Sequence, residues 1–452
     1  MGLGVINKVI PAGKYKWKAF CETTSTRSDW LIGYFKPNID TEWKAVDKVN
    51  GAILDSGVLP ANTSNLQIDL SNNTNGSIIN IKVDKNGNGV DRVWFWYYNH
   101  ELNWVDIDVL PMLSNFWISG SQAQITEVKN ASGSNKLTYI EVGGNVKLKN
   151  IYFINNAEHL EYLLTNGSYW FENGGLIDTT KWKDTLKQVK LGGTNIGYDT
   201  FDFSDFNVLD IITFRGHFNL QDANGTDILL PKDTLKHLYT YNVNSIFPQF
   251  GVDTFPLLYY FYTYINNASY DYNKLLSNGN LFPELYQIYI NVKMATADTL
   301  VKDFPKLGIF TQYGGVDANG TIEFRNNPKL WYPILYGTKY TNVILDTISQ
   351  QAITRFNYVY PKASLDLSQA NLLEYIQYSY RIGNGLKLNI RNGNNHNLAQ
   401  FFISKYYNDS CIICDDDCFD SNGDLALPIM VNADKRAGDV FTTDPNDANC
   451  PT

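Results

Sequence analysis

A spaced apolar motif, Leu-x-x-Leu-x-Leu in its ideal form, recurs down the last three quarters of the chain. Its clearest copies are Leu285, Ile288 and Ile290 in LYQIYI and Leu373, Ile376 and Tyr378 in LEYIQY. Looser copies begin at Leu113, Leu137, Leu160, Leu186, Leu209, Leu235, Leu258, Leu307, Leu330, Ile353 and Leu398, so successive copies lie 20 to 27 residues apart. Such a period marks a solenoid in which each repeat contributes one strand and buries its neighbour's apolar side. Alternate residues of a strand share a face, so the fourth and sixth motif positions should point inward. The fourth position reads Phe116, Ile140, Leu163, Val189, Ile212, Leu238, Phe261, Ile288, Phe310, Pro333, Phe356, Ile376 and Phe401. All but Pro333 are large apolar residues, and that proline should cost its strand one ladder hydrogen bond. The sixth position is weaker, with Thr165, Thr240, Thr263 and Gln312 among the apolar residues.

Residues 1–104 lack the motif. They carry short strand-like runs (KYKWKAF, DWLIGYF, NLQIDL, SIINIKV and VDRVWFWYY) between Gly, Asn, Asp and Pro clusters. That alternation predicts an antiparallel sandwich or barrel, with Trp17, Trp30, Trp43, Trp94 and Trp96 supplying much of its core. The expected fold is therefore mainly β. It comprises an N-terminal β domain over 1–104, a solenoid with one parallel strand per repeat over 105–410, and a Cys/Asp-rich cap and tail over 411–452.

The repeats resemble the leucine-rich repeat family, especially its asparagine-rich bacterial branch. The segment LKLNIRNGNNHNLAQFFISKYYNDSCII, residues 386–413, looks like that branch's closing repeat, with an N-G-N-N loop and an Asn-rich stretch leading to Cys411. The resemblance covers about two thirds of the chain and does not reach residues 1–104. Pro333 and Gln312 depart from it in the core columns, and the usual repeat Asn stands clearly only at places such as Asn266. What the resemblance implies is a long binding surface without a catalytic pocket.

Candidate chemistry lies on the strand positions that point away from the core. Tyr239, Tyr262 and Tyr289 occupy the fifth position in three consecutive repeats. Tyr260, Tyr332 and Tyr375 occupy the third position, and Tyr241, Tyr264, Tyr313 and Tyr336 the seventh. Adjacent strands lie about 4.8 Å apart, so consecutive rings can stack into a ladder across a concave face. Tyr239, Tyr241, Tyr260, Tyr262, Tyr264, Tyr289 and Tyr332 are the expected ligand-binding residues. A tyrosine offers a flat apolar face and a hydroxyl at low entropy cost, which suits sugar rings or a protein surface. The bland alternative is rings that merely support one another on a solvated sheet.

Other motifs carry less. Asp84 to Gly89 (DKNGNG) matches the first half of a calcium loop, but the twelfth position, where a bidentate carboxylate belongs, is Phe95. A hairpin turn between strands is the better account. Cys411, Cys414 and Cys418, with Cys450, leave three readings open: a closed metal site, a capping disulfide, or reduced cysteines closing the last repeat. No cofactor beyond such a structural metal is expected. None of the five histidines sits in zincin spacing, and no nucleophile elbow or phosphate loop appears.

The net charge of −9 without a basic stretch argues against a nucleic-acid partner, and no apolar run is long enough for membrane insertion. With no evident signal peptide at the start, the leading expectation is a bacteriophage virion surface protein, without enzymatic activity. Its N-terminal domain would dock to virion structural proteins, and its solenoid would meet a host-surface glycan or protein. Self-association into a homo-oligomer suits attachment proteins on symmetric particles. The alternative is a cellular leucine-rich repeat adhesin on a bacterial surface; a carbohydrate-active enzyme would need paired carboxylates beside the tyrosines.

Overall fold

A computed structural model describes residues 17–84, 89–95, 101–119, 125–130, 136–143, 152–166, 179–192, 202–218, 228–243, 247–270, 272–294, 298–313, 320–337, 340–361, 363–379, 386–403, 411–427, 440–444 and 446–450. The described residues are mainly β, 45% strand and 9% helix, and wind a β-solenoid of about 10 turns. The chain's contacts gather into two units, residues 1–186 with 191–200, and residues 187–190 with 201–452.

The first unit holds β1 (Lys18–Thr23), β2 (Trp30–Pro37), β3 (Thr41–Asp47), β4 (Ile53–Leu59), β5 (Asn65–Ile68), β6 (Ile79–Val83), β7 (Val90–Phe95), β8 (Leu102–Asp106), β9 (Asn115–Ser119), β10 (Glu127–Lys129), β11 (Tyr139–Gly143) and β12 (Tyr162–Asn166). One sheet runs β10-β8-β1-β6-β3-β4, antiparallel except where β10 joins β8. In the other, β2 pairs antiparallel with β5 and β7, and then β7, β9, β11 and β12 continue as a parallel ladder. The parallel stack thus starts at β7. The DKNGNG connection joins β6 to β7, strands of different sheets, so it is not the hairpin that the flanking strand-like sequence suggests; residues 85–88 themselves lie outside the described set. Phe20 of β1 meets Phe35 of β2 and Phe95 of β7 at ring-centroid distances of 5.5 and 5.7 Å. Trp30 and Trp43 are core residues, whereas Trp94 lies half-buried and Trp96 is outside the described residues.

The second unit contains most of β13 (Gln188–Gly192), then β14 (Ile211–Phe218), β15 (His237–Val243), β16 (Tyr260–Tyr270), β17 (Gln287–Met294), β18 (Thr299–Lys302), β19 (Ile309–Tyr313), β20 (Gly320–Arg325), β21 (Tyr332–Tyr336), β22 (Tyr340–Leu345), β23 (Arg355–Val359), β24 (Leu365–Asp366), β25 (Tyr375–Ser379), β26 (Lys387–Asn389), β27 (Gln400–Ile403), β28 (Cys411–Ile413) and β29 (Val440–Thr442). From β14 the main ladder runs β14-β15-β16-β17-β19-β21-β23-β25-β27, every pair parallel. Two smaller parallel sheets, β18-β20-β22 and β24-β26-β28-β29, are built from the returning half-repeats. Among the described residues the helices there are short turns, such as α1 (Asn273–Leu276) and α2 (Thr347–Gln351).

Register follows the motif. Phe261 pairs with Leu238 on one side and Ile288 on the other, and Ile288 with Phe310. Every fourth-position residue is buried, as is every first-position residue from Leu113 to Leu398. The ladder from β21 to β23 begins at Ile334, one residue after Pro333, as a missing proline N–H requires. Gln312 is buried with half of its amide paired: the Tyr340 hydroxyl donates to its Oε1 at 3.0 Å and lies 2.7 Å from Thr299 Oγ1, while its Nε2 has no hydrogen-bond partner among the described residues.

Buried amides fasten one turn to the next. Asn327 donates to the Val301 carbonyl at 2.9 Å and accepts from the Phe304 amide at 3.2 Å. Asn392 donates to the Ala370 carbonyl, and Gln249 both accepts from and donates to the Leu230 backbone. Each satisfies main-chain groups that a tight return would otherwise leave unpaired away from water. The side chain of Asn266 lies outside the described residues.

Ile288→Ala or Phe261→Ala should lower unfolding free energy by roughly 2–5 kcal/mol through lost burial and a residual cavity. Asn327→Ala should cost roughly 1–3 kcal/mol for each backbone group it orphans. Urea denaturation checks both, and an unchanged midpoint for Asn327→Ala would show that the amide is not a fastening.

Candidate functional site

In β15–β17, side chains alternate between core and open face, and the open-face columns are rich in tyrosine. Tyr239, Tyr262 and Tyr289 are register partners in consecutive strands. The Tyr262 and Tyr289 rings stack at 4.3 Å with 9° between planes, while Tyr239 meets Tyr262 at 6.2 Å, tilted by 40°. Tyr260 joins from the third column, 5.2 Å from Tyr239, and Tyr241 from the seventh, 5.1 Å from Tyr262. Tyr264 is the register partner of Tyr241.

The run does not continue straight. Thr311 follows Tyr289 in the fifth column, so ring contact passes diagonally to Tyr313 at 5.4 Å and on to Tyr336 at 4.9 Å. Tyr332 stands apart from Tyr260, with Gln287 and Ile309 between them in the third column. Its neighbours are Trp331, at 5.4 Å, and Asn357, whose amide donates to the Tyr332 hydroxyl. Six of the seven tyrosines expected to bind therefore share one region, and Tyr332 belongs to another.

Two aromatic features escape a motif-based reading. At the second motif position, Tyr259 and Tyr286 stack at 5.3 Å, and the Trp331 indole N–H donates to the Tyr286 hydroxyl at 3.2 Å. That bond passes over Gly308, where a Cβ would come within 2.5 Å of the Tyr286 ring and 2.9 Å of the Trp331 nitrogen. In the first unit, Tyr34, Trp94, Trp117, Tyr139 and Tyr162 form a ring run with centroid steps of 5.4, 5.1, 5.1 and 5.8 Å. The pairing of Trp94 with Trp117 in neighbouring strands was the available signal, once β7 is placed in the ladder.

Charge on this face is one-sided. No Asp or Glu occupies the third, fifth or seventh motif position of any described strand from β13 to β27. Lys190, Arg215 and Arg355 do occupy such positions. Near β13–β15 the surface dips into a cleft of about 280 Å³ lined by Gln188, Lys190, Thr213, Arg215, Tyr239 and Tyr241. His237, beside Tyr239 and Tyr260, has a buried Nδ1 with no hydrogen-bond partner among the described residues, and burial holds its pKa down. The face offers stacking surfaces, hydroxyl donors and cations. Among the described residues its third, fifth and seventh positions from β13 to β27 carry no carboxylate.

The C-terminal cysteines separate in role. Cys411 is bridged to Cys450 across 39 residues of sequence. Cys414 and Cys418 are unbridged and buried, and their mutual hydrogen bond, with burial, pushes the Cys414 thiol well above its ordinary pKa. Asp415 is occupied with the last turn, accepting from the Gly393 and Asn395 amides. Among the described residues no group of three or more His, Cys, Asp or Glu side chains is arranged to hold a metal.

Burial raises the phenol pKa values of Tyr239, Tyr262 and Tyr313, and takes that of Tyr260 to about 12. The unfolded chain releases these protons near pH 10, the folded chain only at higher pH. Stability should accordingly hold up to about pH 10 and fall as pH rises from there towards 12. Urea midpoints across that window, with phenolate absorbance recorded alongside, test this; phenols titrating together near pH 10 in the folded protein would contradict it. Comparison of the chain with protein-family models, with curated proteins and with solved structures finds no match in any of the three.

Proposed function

We propose that this is a non-enzymatic recognition protein whose open tyrosine face holds a surface glycan or protein, displayed on a bacteriophage virion by its N-terminal β region. One observation carries the recognition reading: the ring run Tyr260, Tyr239, Tyr262, Tyr289, Tyr313, Tyr336, which crosses β15, β16, β17, β19 and β21. Half-buried rings that still face water are surfaces waiting for an apolar partner, and their hydroxyls add direction to the contact. Glycoside hydrolysis requires two carboxyl groups roughly 5–10 Å apart, and the described face from β13 to β27 carries none. Binding without turnover is the function that fits.

Finer points of architecture belong to the same proposal. The buried leucine columns and the amides that fasten successive turns favour leucine-rich repeats of the asparagine-rich type. The meeting of Phe20 with Phe35 and Phe95 across two sheets favours a sandwich for the N-terminal strands. That region would face virion structural proteins, with copies of the chain grouped as a homo-oligomer. Should the protein be absent from purified particles by mass spectrometry, a cellular adhesin on a bacterial surface takes its place.

Replacing Tyr239, Tyr262 and Tyr289 together with Ala should abolish retention on host cells or on a glycan array and leave the fourth-position core intact. Circular dichroism and a melting curve would confirm the fold. If the folded triple variant binds as well as the parent, the ring run is only structural.

A further inference from the structure

We propose that the cleft across β13–β15 is a subsite for an acidic sugar, with Arg215 and Lys190 binding its anionic group while Tyr239 and Tyr241 hold the ring that bears it. This rests on the reading of the tyrosine face as a glycan-binding surface. The cleft arises from side-chain size. Thr213, the fifth-position residue of β14, is the Cα partner of Tyr239, and Lys190 holds the same motif position in β13. A short side chain between two long ones leaves a hollow, and its volume of about 280 Å³ falls below the roughly 300–1,000 Å³ usual for drug-sized ligands. That size suits a single sugar unit of a longer chain.

The lining is cationic in a protein of net charge −9. Lys190 and Arg215 both line it, and no carboxylate does so among the described residues. Asp210, on the segment entering β14, has its carboxylate 3.3 Å from Lys236 Nζ. The Arg215 guanidinium lies over the Tyr241 ring, 5.9 Å from its centroid, which holds its planar fork beside the aromatic surface. A guanidinium so held binds a carboxylate or sulfate through paired N–H donors, and the lysine adds a point charge. Thr213 and Gln188 supply neutral partners for ring hydroxyls. The rest of the ring run, from Tyr262 to Tyr336, carries no cation among its own members and suits the neutral remainder of the chain.

The test uses matched oligosaccharides and the full-length protein. One pair is tetragalacturonate and its carboxyl-reduced counterpart; the other is a sulfated galactan fragment and its desulfated form. Calorimetry compares wild type with the Lys190→Gln, Arg215→Gln double variant. Wild type should prefer one acidic member over its neutral partner by roughly tenfold or more, as a charge-assisted hydrogen bond predicts. Added salt should erode that preference. The double variant, shown folded by its circular dichroism, should lose the preference, and the pair that responds identifies carboxylate or sulfate. Equal binding of acidic and neutral members by wild type, or an undiminished preference in the double variant, overturns the subsite and leaves the tyrosine face as a neutral glycan binder. If wild type binds no member of either pair, subsite and glycan reading fall together.

Discussion

A single turn of this chain cannot bury its own apolar side, and that constraint organises the second unit. Its strands are too short to make a core alone. Each fourth-position residue is covered only when the next turn places its equivalent beside it, as Phe261 is by Leu238 and Ile288. Parallel pairing in constant register is the arrangement that brings equivalent positions together repeatedly. Once the buried columns are aligned, the third, fifth and seventh positions are aligned as well, so the ring run is a by-product of core packing.

Differences in repeat length must then be absorbed elsewhere, and the returning half-repeats absorb them. There the backbone turns with little regular helix, and the cost is main-chain groups facing away from water. Asn327, Asn392 and Gln249 meet that cost with side-chain amides, which can donate and accept at once. The buried hydroxyl of Tyr340 does a similar service for the oxygen of Gln312 in the apolar column, while the Gln312 amide nitrogen is buried with no hydrogen-bond partner among the described residues.

How much of this was legible beforehand depends on range. The leucine spacing and the large residues at the fourth position locate the strands of the main parallel ladder from β9 onward, each starting two residues after its first motif position, because their signal is local and repeated. The first strand of that ladder, β7, lies outside the copies read from the sequence. The tyrosine columns follow directly from that register. What could not be read were contacts that cross columns: the diagonal step from Tyr289 to Tyr313, the Tyr286–Trp331 bond over Gly308, and the cleft at Thr213. Each depends on side-chain size at neighbouring positions in space that lie 20 or more residues apart in sequence. The strands β3 and β4, and the placing of β6 and β7 in different sheets, were hidden for another reason: residues before 105 have no repeat to average over.

Separation of the two sides of each strand has an evolutionary consequence. Substitutions at the third, fifth and seventh positions leave the buried columns untouched, so each turn behaves as a tile whose outer marking can drift alone. Along one column Tyr289 is followed by Thr311, Ile334 and Asn357 with the register unchanged. A lineage under pressure to change its target could exchange a few tiles and keep its scaffold, while a change at Ile288 or Phe261 would be felt by two neighbouring turns at once.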